Sequence, residues 1–396
     1  MTNSPPAKVK LDENECARVM ACGIDWLTLA IDVRWESKET FDRLAKLKDS
    51  AIADEADQPA QLDMDTGSSA WQFNVKPHGA GGYEWLLVSA ELSMKIGNWL
   101  EPKQRPSVMV NVRSETLWTH GPAAALVRVV ELLKVLGGEV VTIKPSRVDL
   151  CLDLLLPEHE WTPNLIDSFV TRARDISPHF QYRELSGFSI GRGKISARLY
   201  DKPREIATKS HKDWMYDVWG ISAVAEDHRI IRIEYQLRRE VLIELSCRTW
   251  DQLCKHLGML WKYCATCWLH LVDDRSRHHT QQIVLPWWDV VASGFTGARD
   301  AEPGVREKTC KAHLRQLASQ TIGLLGSIVA LLRPESRCDF GIVLNMRSSI
   351  HLAVNEAIKL TDLNDREFTR RVERKQARNR HPGKTSKKTV GHRGQS

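Results

Sequence analysis

Seven side chains in three short stretches could act together on one substrate. RVDLCLD holds Asp149 and Asp153, RLYDK holds Arg198, Tyr200 and Lys202, and RIEYQLRR holds Arg232 and Glu234. Carboxylates are hard oxygen donors of the kind that hold Mg²⁺ or Mn²⁺, ions that keep water and phosphate oxygens in their remaining positions. Such an ion polarises a scissile phosphate. A tyrosine attacks phosphorus to form a covalent ester, but its ordinary pKa of about 10 means that it needs help at neutral pH. Cations beside it favour the phenolate and stabilise charge on phosphoryl oxygens. Taken singly, each residue also fits an ordinary solvent-facing or paired charge on a half-exposed sheet. The combination is what points to metal-assisted phosphoryl transfer.

All three stretches alternate with the two-residue period of a strand. Val148, Leu150, Leu152 and Leu154 oppose Arg147, Asp149, Cys151 and Asp153; Ile231, Ile233, Tyr235 and Leu237 oppose Arg232, Glu234, Gln236 and Arg238. Gly187 to Arg204 reads as a hairpin with a Gly-Arg-Gly-Lys turn and a second strand from Ile195 to Lys202. If the three strands share a sheet, one face packs on helices and the other presents the seven residues on an open surface. Arg192 and Lys194 in the turn, with Arg232 and Arg238, are expected to contact DNA.

Around this centre the chain reads as follows. Residues 1–20 are expected to be disordered. Gly23 to Val33 is a strand, Lys38 to Asp49 a helix, and 50–69 an acidic loop. WQFNVKP and YEWLLVS form a hairpin about His78-Gly-Ala-Gly-Gly; without a following GK[ST] this is a turn, not a phosphate loop. Val108 to Ser114 is a strand, and Gly121 to Leu136 is a helix stopped by Gly137-Gly138. A further helix is expected near Asn164 to Arg174, and a polar segment over Glu205 to Asp227. From about Val241 the pattern turns helical, with helices at Trp250–Leu271, Cys310–Leu332 and Leu344–Leu360. The predicted organisation is a disordered N-terminus (1–20), an α+β antiparallel-sheet domain with flanking helices (21–245), an all-helical domain (246–366) with a boundary near 275–305 as an alternative, and a basic disordered tail (367–396).

The formal charge of +6 is unevenly placed: the last 30 residues hold ten Lys/Arg against two Asp/Glu, leaving the remainder slightly negative. The tail, with Arg370, Arg371, Arg374 and Lys375, therefore reads as a DNA arm. Nine scattered cysteines and a polar N-terminus without an apolar signal core fit free thiols in a reducing cytoplasm. Cys264-x-x-Cys267 has no second pair to complete a zinc set and is read as core. Trp287-Trp288 is read as packing before base stacking. No apolar run is long enough to cross a bilayer.

In order and spacing, RVDLCLD, the Gly-rich hairpin leading to RLYDK, and RIEYQLRR resemble the replication initiation factor family, the Rep_trans-type rolling-circle initiators of plasmids and filamentous phages, with relaxases of mobile elements among their relatives. GIDWLTLAID also looks like that family's opening strand, so the resemblance spans about residues 23–245. It implies a palm-like nicking domain that cuts one strand at a double-strand origin with Mg²⁺ or Mn²⁺ and stays on the 5′-phosphate as a phosphotyrosine. The free 3′-OH then primes a host polymerase behind a host helicase, in the cytoplasm of a bacterial host cell. Carried over, Tyr200 is the nucleophile, Asp149, Glu234 and, less directly, Asp153 are metal ligands, and Arg198 and Lys202 contact phosphate. The helical region is expected to add DNA binding or self-association as a homodimer. None of the 14 histidines forms the His-hydrophobic-His motif of many rolling-circle enzymes, so carboxylates must supply the ligands. A transfer-origin relaxase has the same chemistry; a DNA-binding protein that melts or represses without cutting needs no tyrosine–carboxylate cluster.

Overall fold

The alternating stretches form long strands that pair edge to edge. The computed structural model describes residues 9–53, 60–65, 67, 70–278, 280–306, 320–322, 324–325, 328, 346–361 and 364–380. The strands are β1 (Arg18–Trp35), β2 (Ala60–Asp65), β3 (Ala70–Val75), β4 (Trp85–Val88), β5 (Leu92–Ile96), β6 (Val108–Val112), β7 (Gly138–Pro157), β8 (Phe169–Thr171), β9 (Ile176–Gln181), β10 (Glu184–Ile190), β11 (Ile195–Asp201), β12 (His228–Arg238) and β13 (Leu269–Leu271). Eleven of them form one sheet in the order β2-β3-β4-β5-β6-β1-β7-β12-β11-β10-β9, and β8 and β13 make a separate ribbon. Neighbours in the large sheet run antiparallel. The fold is α+β, built on a large antiparallel sheet.

The helices are α1 (Glu39–Ala53), α2 (Ser114–Val135), α3 (Lys202–Glu205), α4 (Met215–Trp219), α5 (Arg239–Glu244), α6 (Trp250–Lys262), α7 (Pro286–Gly294), α8 (Met346–Thr361) and α9 (Asp365–Arg380). Thr249 and Gln252 form a reciprocal capping box at the start of α6. Gly121, at φ 78°, and Pro122 kink α2, and Gly137, at φ 75°, ends the turn after it. Among the described residues no helix is long and apolar enough to cross a membrane.

The chain divides into two compact units, Met1–Lys308 and Thr309–Ser396. Residues 246–308, expected in a separate helical domain, belong with the sheet. The reason is packing: Leu253, Trp261, Trp268, Trp287 and Trp288 share one hydrophobic core with Val148, Leu150, Ile233 and Leu237. Trp288 donates its indole N–H to the carbonyl of Ala265 at 2.9 Å, so the tryptophan pair packs in the core. Cys264 is buried there as well, and Cys267 is half-buried.

Other expectations change too. Residues 9–20 are ordered: Val9 bridges to Val224, and β1 begins at Arg18. The acidic stretch read as a loop contains β2, because Leu62 and Met64 alternate into the core. The expected helix at 164–174 is a short 3₁₀ turn (Pro163–Asp167) followed by β8. The long helix from Trp250 gives way to a π turn (Tyr263–Trp268) and then β13. The helix expected over Leu344–Leu360 is α8, while that over Cys310–Leu332 lies largely outside the described residues. The basic tail is helical as far as Arg380.

Candidate active site

Strand register puts the chemical residues in rows across one face. Tyr200 lies opposite Arg232, which lies opposite Asp153; Arg198 lies opposite Glu234, which lies opposite Cys151; Asp149 pairs with Gln236 in the next row. Expectation and structure differ on exposure. Asp149, Asp153, Arg232 and Glu234 are all buried. The segment read as merely polar, Glu205 to Asp227, folds over this face and sets a second small core of Leu155, Ile206, Met215, Trp219 and Ile230 beside the charges.

The charges sort into two groups. The first borders solvent. The Tyr200 hydroxyl donates to Glu234 Oε2 at 3.1 Å. The Arg198 guanidinium pairs with Glu234 Oε1 and stands 3.7 Å from Asp149 Oδ2. Arg147 Nε donates to Asp149 Oδ1 at 2.8 Å, with its guanidinium over the Trp26 ring. The Arg198 side chain is 51% exposed, while those of Asp149 and Glu234 are 1% and 4% exposed, so the guanidinium lies as a lid over two carboxylates.

The second group is closed. Arg232 holds Asp153 through both oxygens, at 2.6 and 2.7 Å, and reaches Asp25 on β1 at 2.9 Å. Trp219 donates to the same Asp153 carboxylate at 2.9 Å, and Ser114 and Trp118 donate to Asp25. Asp153 is fully buried with both oxygens bonded to buried donors, away from the open group, and Arg232 is too deep to touch DNA; both assignments are corrected by this pairing. Lys202 is corrected likewise. It opens α3 instead of extending β11, is 2% exposed, and bonds Glu205 at 2.5 Å.

These surroundings set the protonation states. Burial pushes the Asp149 carboxyl up to about 6; Arg147 opposes the rise and the Glu234 carboxylate adds to it. Burial and then Glu234 hold the Tyr200 phenol well above its ordinary value. Burial and then Arg232 lower the Lys202 ammonium. Tyr200 is thus a neutral donor at rest, where the sequence pattern suggested a phenolate held by cations. Burial opposes ionisation of Asp25 too, but Arg232 and Lys212 outweigh it and keep that carboxyl well below its usual range.

A cleft of about 330 Å³ opens beside the first group, lined by Tyr200, Arg198, Gly187, Ser189, His179 and Arg204 among others. Gly187 pairs with Tyr200, and a Cβ there would stand 2.6 Å from the Leu199 carbonyl oxygen and 2.9 Å from Tyr200 Cβ. His179, Ser189, Arg147 and Asp25 escaped the sequence reading as site residues. Arg147 carried a usable signal, two positions before Asp149 on the same face. His179 did not, because Pro178 and a lack of alternation hide β9.

Among the described residues no group of three or more His, Cys, Asp or Glu could hold a metal ion. Asp149 and Glu234 do suit a divalent ion as a pair. Both offer hard oxygens, one guanidinium already bridges them, and the Glu234 carboxylate raises the cost of charge on Asp149.

The remaining DNA contacts expected from sequence are dispersed. Arg192 and Arg238 are exposed, as is Lys194, which stands 3.3 Å from Glu244. Arg370 and Arg371 are exposed on α9 in the second unit, with Arg371 bonded to Glu367 at 3.1 Å. Arg374 and Lys375 also belong to α9, but their side chains lie outside the described residues. No protein-family model matches the chain, and no curated protein matches it significantly.

Proposed function

We propose that the chain is a DNA strand-nicking and joining enzyme that initiates rolling-circle replication, its large sheet serving as a palm-like nicking domain. The observation that carries this reading is the hydrogen bond from Tyr200 to Glu234, at the edge of a cleft and beside a second buried carboxylate. In cleavage, Tyr200 Oη attacks the scissile phosphorus. Its high pKa requires the proton to leave as the bond forms, and Glu234 Oε2 stands ready to take it. Arg198, freed from its carboxylates, neutralises charge on the phosphoryl oxygens. The products are a 5′-phosphotyrosine and a free 3′-OH, and the reverse reaction rejoins the strand. Asp149 and Glu234 are the residues that would hold Mg²⁺ or Mn²⁺, which supplies Lewis-acid polarisation of the phosphate. The partners of this reading are origin DNA, single- and double-stranded, with a host helicase and polymerase to extend the 3′ end. A relaxase acting at a transfer origin would use the same groups.

A second reading, a DNA-binding protein that does not cut, is favoured by one observation. Arg147 and Arg198 already neutralise Asp149 and Glu234, leaving a closed charge cluster that needs no ion. The two readings separate on supercoiled plasmid carrying the DNA that flanks the coding gene, incubated with Mg²⁺ or Mn²⁺. The nicking reading expects open circles with protein on the 5′ end, lost in Tyr200→Phe while DNA binding persists. Binding without cutting, or an adduct undiminished in Tyr200→Phe, overturns it.

A further inference from the structure

Attack by Tyr200 leaves one proton unaccounted for on the other side of the phosphorus. In-line displacement puts the attacking and leaving oxygens on opposite sides. Glu234 lies beside Tyr200, towards β12, so the group that serves the nucleophile cannot also reach the departing 3′-oxygen. A second group has to stand beyond the phosphate.

The sheet supplies one. His179 on β9 pairs with Gly187 on β10, which pairs with Tyr200 on β11. Paired residues share a face, so the imidazole and the phenol stand two strands apart, roughly 10 Å, with only a glycine between them. That leaves a notch without a side chain, bounded by Tyr200 on one side and His179 on the other, inside the same cleft. The imidazole is exposed and oriented: Nε2 is 2.7 Å from the hydroxyl of Ser189, itself a lining residue. Imidazole is the side chain best suited to exchange a proton near neutral pH.

We propose that the phosphodiester lies in the notch over Gly187 and that His179 is the catalytic acid for the leaving 3′-oxygen, a role that rests on the nicking reading. The Tyr200 Oη–P bond forms as the P–O3′ bond breaks. The phenol proton passes to Glu234, and the imidazolium proton of His179 passes to O3′. Rejoining runs both transfers backwards: His179 takes the proton of the attacking 3′-OH, and Glu234 returns one to the phenol.

The test uses the full chain and an oligonucleotide spanning the mapped nick, made once with the natural bridging 3′-oxygen and once with bridging 3′-sulfur. A thiolate leaves without protonation. His179→Ala is expected to slow cleavage of the oxygen substrate about 100-fold or more and to leave cleavage of the sulfur substrate near the wild-type rate. His179→Gln, which keeps a partner for Ser189 but carries no exchangeable acid, is expected to behave the same way. Tyr200→Phe is expected to lose both substrates. Wild-type rates on oxygen for both histidine variants, or equal losses on oxygen and sulfur, overturn the role of His179 while the nicking reading stands. No adduct from the wild-type protein on either substrate removes both.

Discussion

Glu234 accepts hydrogen bonds from the two groups that the chemistry most needs, the Tyr200 phenol and the Arg198 guanidinium. Glu234→Gln keeps the shape and removes the base, so adduct formation is expected to fall about 100-fold while DNA affinity is retained; single-turnover cleavage beside a binding assay checks this. On the nicking reading, Asp149 would make the metal requirement depend on pH. Its carboxyl, pushed up to about 6, must ionise to hold a cation, so the Mn²⁺ concentration for half-maximal cleavage should rise steeply below that pH and level off above it. A metal titration equally flat on both sides would remove Asp149 as a ligand. The stability effect has a definite sign. A carboxyl raised on folding contributes fully below its unfolded value, and that contribution is lost as pH rises through about 6. Asp25, depressed on folding, contributes above the ordinary carboxylate range and loses its contribution in acid. Asp149→Asn should therefore flatten the decline in unfolding free energy on the way up to neutral pH, measured by urea titration. Alternation placed Asp149, Glu234 and Tyr200 each on the polar side of its own strand; that the three strands lie side by side in one sheet came from the structure. Sequence could not show that Asp153 is closed, since its partners Arg232 and Trp219 come from far along the chain.

At the level of elements, the buried Arg232 joins β12 to β7, β1 and α4 through Asp153, Asp25 and Met215. Arg232→Ala would strand two acids in the interior, and a loss of about 3–5 kcal/mol is expected, read from denaturant unfolding; a loss below about 1 kcal/mol would show the network to be solvated. Strands β7, β11 and β12 were legible because each alternates cleanly between apolar and polar residues, even though β7 and β12 are buried on both sides here. The cover over their polar side was not, because Glu205 to Asp227 reads as polar although Ile206, Met215 and Trp219 are the residues that pack down. β5 was also missed: its alternation of Leu92, Met94 and Ile96 is short and lies between loops. The helix expected at 164–174 failed because Phe169 and Val170 pair with β13, about a hundred residues later in the chain.

Across the whole molecule, charge and fold separate. The first unit carries the sheet, the cleft and every residue of the proposed chemistry, while the basic excess lies in the second. Reversing two exposed charges, Arg370→Glu with Arg371→Glu, is expected to weaken DNA binding and lower the slope of log affinity against log salt by about 0.9 for each phosphate no longer neutralised. An unchanged slope would place that helix off the DNA. Composition made the charge imbalance visible, but it could not show that α9 is a helix, nor that the 246–308 helices belong with the sheet. The guanidinium of Arg232 has one more consequence. It ties β12 to β7 and β1 at a single position, so a one-residue slip of that strand would turn a full charge toward hydrocarbon. The β12 frame is thereby locked from inside the sheet and not by its connections, which sets the height at which Glu234 meets Tyr200 across the β11–β12 pairing.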